Sequence, residues 1–346
     1  MRSRFCALLF ASCALLLAAC SQRLPPQAGF EGFTMGTSYS VRLAGLSAWF
    51  DLYALQRGVQ RRLEEVDARM STYRADSELS RFNRNPSTDW VPASPELVRV
   101  IAEAQRISAL SDGAFDVTVA PLVDLWGFGP EPGEDRVPEE AAIRGALARV
   151  GYRKLHVRRQ PPALKKDRGD LHVDLSAIAK GYAVDVVADY LSAQGVDDYL
   201  VEVGGEMRAS GHKAGGQPWR IGIERPQPGQ RSVYAVVALS DVAVATSGDY
   251  RNYFRQQGRL YSHTIDPRTG RPVSHHLASV TVLAASSMYA DGMATALDVL
   301  GPGAGFELAE REGLVAFFIV RTEKGFEDRA TRAFARYSLE RRPAGD

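Results

Sequence analysis

Ser286–Leu300 reads SSMYADGMATALDVL, and the rest of the chain is organised around it. Leu277–Ala284, just ahead of it, is an apolar run of strand length that delivers the chain into this stretch. Within the stretch, Asp291 is followed four residues later by the hydroxyl of Thr295. On a helix, that spacing stacks the two side chains on one face. Two hard oxygen ligands on one face suit a Mg2+ ion that keeps its waters and takes its remaining ligands from a phosphate. The same residues also fit a plainer reading, an acid near a helix start with Thr295 bonding back to a carbonyl. Residues upstream decide between the two.

A chain of 346 residues has room for one large domain or two ordinary ones. Its 45% hydrophobic and 24% charged content is ordinary for a globular protein. The formal charge is +1, and two of the basic residues, Arg2 and Arg4, belong to the leader, so the remainder is nearly neutral. No basic stripe with interleaved aromatics occurs, so no nucleic-acid partner is expected.

Residues 1–19 read as a targeting segment. Met1–Arg4 is a positive n-region, and Phe5–Ala18 is an apolar run too short to span a bilayer as a mature helix. It ends Leu17-Ala18-Ala19-Cys20, which resembles a bacterial lipoprotein signal in which Cys20 receives the lipid. A plain secretory leader that happens to end near a cysteine is the other reading. Cys6, Cys13 and Cys20, the three cysteines of the chain, all fall here. The chain beyond Cys20 therefore has neither a disulfide nor a cysteine nucleophile, even in an oxidising compartment. Residues 20–31, with Pro25-Pro26, read as the lipidated cysteine and a tether, and 32–340 as a single globular unit.

Thr37–Leu43 alternates as a strand, with Met35-Gly36-Thr37 at its start. Leu55, Val59, Leu63, Val66 and Met70 make one stripe of a helix over Leu52–Met70. Tyr73, just past its end, reads either as a packed surface ring or as a stacking platform for a flat ligand. Pro95–Leu110 is a second amphipathic helix capped by Ser94, with Pro95 in its first turn. Gly127–Pro138 reads as an exposed loop, Pro138–Val150 as a short helix, and Leu155–Val157 and Asp170–Leu175 as strands joined by a basic turn.

His172–Tyr182 reads as strand, tight turn and helix start, capped by Asp174 or Ser176. Such a helix start offers free N–H groups to an anion, with Lys180 as a mobile positive charge; an ordinary capped helix with a solvated lysine fits as well. Tyr199–Gly211 is a hairpin turning at Gly204-Gly205, and Trp219–Glu224 and Val233–Leu239 are further strands. Ala243–Asp249 ends in a Thr-Ser-Gly turn. His263 closes another strand beside an acid, Asp266. Gly305–Arg311 is helical, Val315–Val320 is a strand, and Arg321–Asp346 reads as polar and peripheral.

No dinucleotide fingerprint, P-loop, nucleophile elbow or zinc-type histidine spacing occurs. What remains is a set of Gly/Ser/Thr-lined strand ends, one lysine, one histidine and a hard-metal pair, parts that suit positioning and neutralising a pyrophosphate.

Eight short motifs carry a family resemblance: Met35-Gly36-Thr37, Met70–Tyr73 (MSTY), Gly113–Asp116 (GAFD), Val173–Tyr182 (VDLSAIAKGY), Val203–Gly205 (VGG), Thr246–Tyr250 (TSGDY), His263–Gly270 (HTIDPRTG) and Ala290–Thr295 (ADGMAT). In that order, from about Phe33 to Val320, they resemble the ApbE family, the FAD:protein FMN transferases. The resemblance implies an α+β fold, with mixed and largely antiparallel sheets and helices packed on them. It also implies Mg2+-dependent transfer of FMN from FAD to a threonine hydroxyl, with release of AMP. By the same resemblance Met35, Tyr73, Ala114, Phe115, Asp116, Asp174, Lys180 and Ile265 line the FAD site. The side chains of Asp291 and Thr295 and the carbonyl of Ala177 hold Mg2+, and His263 is the candidate for accepting the threonine proton. The implied acceptor is a periplasmic subunit of a redox complex, such as a sodium-pumping quinone reductase or Rnf complex, bearing a Ser/Thr-Gly-Ala-Ser/Thr-like segment. The expected location is the periplasmic side of a bacterial membrane, the inner one favoured, anchored through Cys20. A Mg2+-dependent FAD pyrophosphatase and a non-catalytic flavin-binding lipoprotein are the competing expectations.

Overall fold

Ala28, Phe30 and Gly32 alternate inward along β1 (Gln27–Thr34), which pairs antiparallel with β2 (Thr37–Ala44). The computed structural model describes residues 27–342 apart from 48, 130–136, 228, 230–231, 250–252 and 257. The leader, Cys20, Tyr250 and most of the Gly127–Pro138 loop lie outside the described residues. The sheet takes up the chain at Gln27, so the last residues read as tether form a strand, because Phe30 has core to pack against.

Local signals set the first helices. In α1 (Leu52–Met70) the stripe expected from spacing is the buried one, and the Asp51 side chain accepts from the Ala54 N–H at 2.8 Å. After α2 (Glu78–Arg84) and the short β3 (Val91–Pro92) comes α3 (Pro95–Leu110), whose cap Ser94 accepts from the Leu97 N–H at 3.2 Å. Two short helices come next, α4 (Ala120–Leu125) and α5 (Glu140–Leu147), the latter inside the range expected for it.

The strand β4 (Leu155–Arg159) does not pair with Asp170–Leu175. Its partner is the intervening β5 (Pro162–Lys166). Asp170–Leu175 is no strand, because its backbone groups are taken elsewhere. The Asn83 side-chain amide holds both the N–H (2.9 Å) and the carbonyl (2.8 Å) of Val173, and the Asp174 N–H reaches the Val117 carbonyl at 2.7 Å. That pinned segment enters α6 (Ala179–Ala193), which starts earlier than its apolar run suggests.

Next come β6 (Tyr199–Val203), β7 (Glu206–Ser210), β8 (Trp219–Glu224), β9 (Val233–Leu239) and β10 (Val242–Gly248). Four short strands lie beyond them, β11 (Tyr253–Gln256), β12 (Arg259–Ser262), β13 (Ile265–Asp266) and β14 (Arg271–Pro272). Then β15 (Leu277–Ala284) leads into α7 (Ser287–Arg311), followed by β16 (Val315–Thr322), β17 (Gly325–Ala330) and β18 (Leu339–Arg341). Gly301 interrupts α7 with φ 76°, where a Cβ would stand 2.6 Å from the His275 ring, and Pro302 opens the second half.

The main sheet runs β1-β2-β6-β7-β10-β15-β16-β17, antiparallel throughout. Both of its faces are covered. Ala316 and Phe318 of β16 join the helical core of α1, α3, α6 and α7, while Val315, Phe317 and Ile319 face the three-stranded sheet β18-β9-β8. Phe317 and Phe318 are fully buried, each contributing roughly 2–3 kcal/mol of transfer free energy. The C-terminal segment is therefore not peripheral. Its β17 is the charged outer edge of the main sheet, β18 extends the small one, and Phe334 is buried between them. It reads as polar because an edge strand wets its unpaired side.

Candidate active site

The helices α6 and α7 cap each other, and this places the chemistry. Asp185 of α6 accepts from the N–H groups of Ser287 (2.9 Å) and Met288 (3.0 Å) at the start of α7. In return Asp291 of α7 accepts from the Gly181 N–H in the first turn of α6, at 2.9 Å. The helices are so close that a Cβ on Gly181 would lie 2.3 Å from the Ser287 carbonyl oxygen, which explains glycine there. The capping expected of Asp174 or Ser176 does not occur. Asp174 instead accepts from the Ser176 N–H at 2.8 Å, a local turn, because Asp291 already holds the helix start.

This crossing forms the floor of a cleft of about 550 Å³. Tyr73, Ala114, Phe115, Asp116, Asp174, Ala177, Lys180, His263, Ile265, Asp291 and Thr295 all line it. Met35 is the exception. It sits half-buried against the helical core, in the β1–β2 turn with φ 49°, and is not among the residues lining the cleft.

Asp291 and Thr295 face the same space. Asp291 is buried, and the Thr295 hydroxyl meets the Ser247 hydroxyl at 3.3 Å rather than a carbonyl. Lys180 Nζ donates to Oε1 of Glu206 at 2.6 Å. Glu206 is 4% exposed, and its Oε2 has no hydrogen-bond partner among the described residues. Burial, with the Asp291 charge adding to it and Lys180 opposing, pushes the Glu206 carboxyl up to about 7. Burial likewise raises Asp291, against the pull of Lys180 and the Gly181 N–H.

Asp116 builds the wall. Its carboxylate accepts from Thr118 Oγ1 (2.6 Å), the Thr118 N–H (2.8 Å) and the Tyr152 N–H (2.7 Å). Tyr73 stands at the rim, 74% exposed. His263 meets the Phe128 ring edge-on at 6.3 Å, and Asp266, its neighbour in sequence, is held by Arg268 through two 2.9 Å bonds.

Sequence reasoning missed Glu206, Ser247 and Asp298. Asp298 is seven residues beyond Asp291, and that periodicity was the available signal. It is 1% exposed, lines the cleft, and accepts from Thr264 Oγ1 at 3.2 Å, while its Oδ1 has no partner among the described residues. Burial foremost, then the charge of Asp249, raises its carboxyl to about 7. A folded-state value above the unfolded one penalises the fold at high pH and relieves it as pH falls from about 7 toward 4. Asp298→Asn is therefore expected to stabilise the protein by about 2 kcal/mol at pH 8, with the gain fading towards pH 4–5. Urea melts at pH 8 and pH 5 check this; an equal gain at both would sink the charge explanation.

Residues 35–318 match the model of the ApbE family. The chain belongs to the ApbE family. It is 47% identical over 327 residues to the FAD:protein FMN transferase of Vibrio cholerae, covering 94% of this chain and 95% of that one. With the Escherichia coli K12 protein of the same name it shares 39% over 323 residues, covering 93% and 92%. The solved flavin transferase ApbE from Vibrio cholerae superposes with a TM-score of 0.84 at 46% identity, over 90% of this chain and 99% of that one. The apo Pseudomonas stutzeri flavinyl transferase ApbE gives 0.82 at 45%, over 89% and 95%. The whole ApbE cleft falls within the matched residues, whereas β1 and β18 lie outside them.

Proposed function

We propose that this ApbE chain moves FMN from FAD onto a threonine hydroxyl of an acceptor protein, with Mg2+, releasing AMP. One observation carries the reading: Asp291, Thr295 and Lys180 open onto a single cleft that also has apolar walls and an aromatic rim. The donor set fits a hard cation. A buried carboxylate, a hydroxyl and the Ala177 position stand together, and the unpartnered Glu206 Oε2 beside them is the orphan expected where a cation belongs.

Asp291, Thr295 and the Ala177 carbonyl would hold Mg2+, which when bound supplies neutralisation of the pyrophosphate charge. Lys180 offers a further positive charge to the phosphates, and Phe115 and Ile265 provide dry surface for the flavin or adenine ring. The acceptor hydroxyl oxygen attacks the phosphorus on the FMN side. Its bond to the bridging oxygen breaks, AMP departs with that oxygen, and His263 takes the hydroxyl proton. Lipidation at Cys20 would keep the cleft on the periplasmic side of a membrane, the inner one favoured, within reach of a Ser/Thr-Gly-Ala-Ser/Thr-like acceptor segment.

The test is incubation of the protein with FAD, Mg2+ and an acceptor bearing that segment. Flavin fluorescence that stays on the denatured acceptor is the expected result. Free FMN and AMP with an unlabelled acceptor would make the protein a FAD pyrophosphatase. FAD binding indifferent to Mg2+ and without turnover would make it a flavin-binding lipoprotein.

Tyr73, exposed at the rim, has a ring face free to stack on a flat ligand. Tyr73→Ala is expected to weaken FAD binding by about tenfold, in line with roughly 0.5–1.5 kcal/mol of stacking beyond area burial. Thermal stability should hardly change, since the ring buries little. Fluorescence titration checks it, and unchanged affinity rules out the stacking role.

A further inference from the structure

We propose that Glu206 is itself a ligand of the divalent cation, one carboxylate oxygen on Lys180 and the other on the metal, so that it ties the lysine to the cation. The proposal rests on the cation site proposed above and adds to it a residue that neither the spacing in α7 nor the family resemblance assigns.

Glu206 opens β7 immediately after the Gly204-Gly205 turn. Both glycines have positive φ, 61° and 106°, which lets the chain reverse in two residues. A Cβ on Gly204 would stand 3.0 Å from both Lys180 Cδ and Thr37 Cγ2, so the turn lies directly against the lysine. Glu202 braces it from the preceding strand, accepting from the Gly205 N–H at 2.9 Å. The Glu206 carboxylate is thereby held in place at the floor of the cleft.

Its two oxygens have different fates. Oε1 is on Lys180, and Oε2 is buried with no hydrogen-bond partner among the described residues. Opposite stands Asp291, whose charge acts on the Glu206 carboxyl and whose Oδ2 is on the Gly181 N–H. Two buried carboxyls beside a single lysine leave one acceptor empty and, once both are ionised, one negative charge unmatched. A divalent cation between them removes both defects, since it binds the orphan oxygen and turns the local charge from about −1 to +1. That sign is the one a diphosphate needs. Glutamate is long enough to serve lysine and metal together, so Lys180 stays beside the cation and both meet the same pyrophosphate.

The test is Mn2+ binding to the full-length chain in detergent without FAD, read by electron paramagnetic resonance. Glu206→Gln, which keeps shape and a Lys180 partner, is expected to weaken Mn2+ binding at least tenfold, with Glu206→Asp between it and the parent. The same loss must persist when Glu206→Gln is made in a Lys180→Met background. If it vanishes there, Glu206 only restrains the lysine and the proposal is overturned. Asp291→Asn separates the two levels of the claim. Loss of Mn2+ with Asp291→Asn but not with Glu206→Gln overturns the role of Glu206 and leaves the cation site standing. No loss with either overturns the cation site itself.

Discussion

Asp291→Asn is expected to lower FMN transfer by at least about 10³-fold, the loss anticipated when a metal's charge stabilisation is withdrawn from a phosphoryl-type transfer. The fold should survive. An asparagine oxygen can still accept from the Gly181 N–H that Asp291 holds at 2.9 Å, so the start of α6 keeps its cap. The change also removes one of two facing buried carboxyls. Burial raises the pKa of both groups, so the ionised pair is a liability to the empty protein. Initial rates of acceptor labelling, set beside urea melts of the same preparations, separate the two effects. Activity within tenfold of the parent would remove Asp291 from the mechanism. Activity lost together with the fold would give Asp291 a structural role in place of the metal-binding one.

Lys166→Met is expected to cost about 3 kcal/mol of stability, because it strands buried acceptors, each worth roughly 1 kcal/mol or more. Lys166 is fully buried, and its Nζ donates to the carbonyls of Phe82 (3.3 Å), Asn83 (3.1 Å) and Leu171 (3.3 Å), over the Phe82 ring. Burial lowers its pKa, so the charge itself is not favoured there. An apolar replacement recovers that penalty but supplies no donor to the three carbonyls, and the second effect is the larger. The loss should reach the site as well. Lys166 ties the end of α2 to Leu171, Asn83 of α2 clips Val173, and the next residues carry Asp174 and Ala177 into the cleft. Denaturant unfolding gives the stability change, and a raised KM for FAD is expected beside it. A variant as stable as the parent would sink the clamp.

Elements whose stabilising partners lie within a turn or two were legible along the chain. The α1 stripe, the Ser94 cap of α3, the Gly204-Gly205 hairpin and the shared face of Asp291 and Thr295 all follow from spacing. Asp170–Leu175 misled because extended, apolar backbone looks the same whether a strand or an asparagine side chain satisfies it. The C-terminal strands were missed because an edge strand is polar on its wet side, like a tail.

By itself, then, the amino-acid order determined the long helices, the Gly204-Gly205 hairpin, the family motifs and which side chains share a helical face, since those depend on neighbours a few bonds away. Only the tertiary structure decided that Asp185 and Asp291 cap each other's helices, that Glu206 faces Asp291 with one oxygen unsatisfied, and that Asp298 is buried on the same wall. Those facts depend on desolvation and on polar groups brought together across more than a hundred residues of chain in places, as between the Gly181 N–H and Asp291, and no local periodicity encodes them.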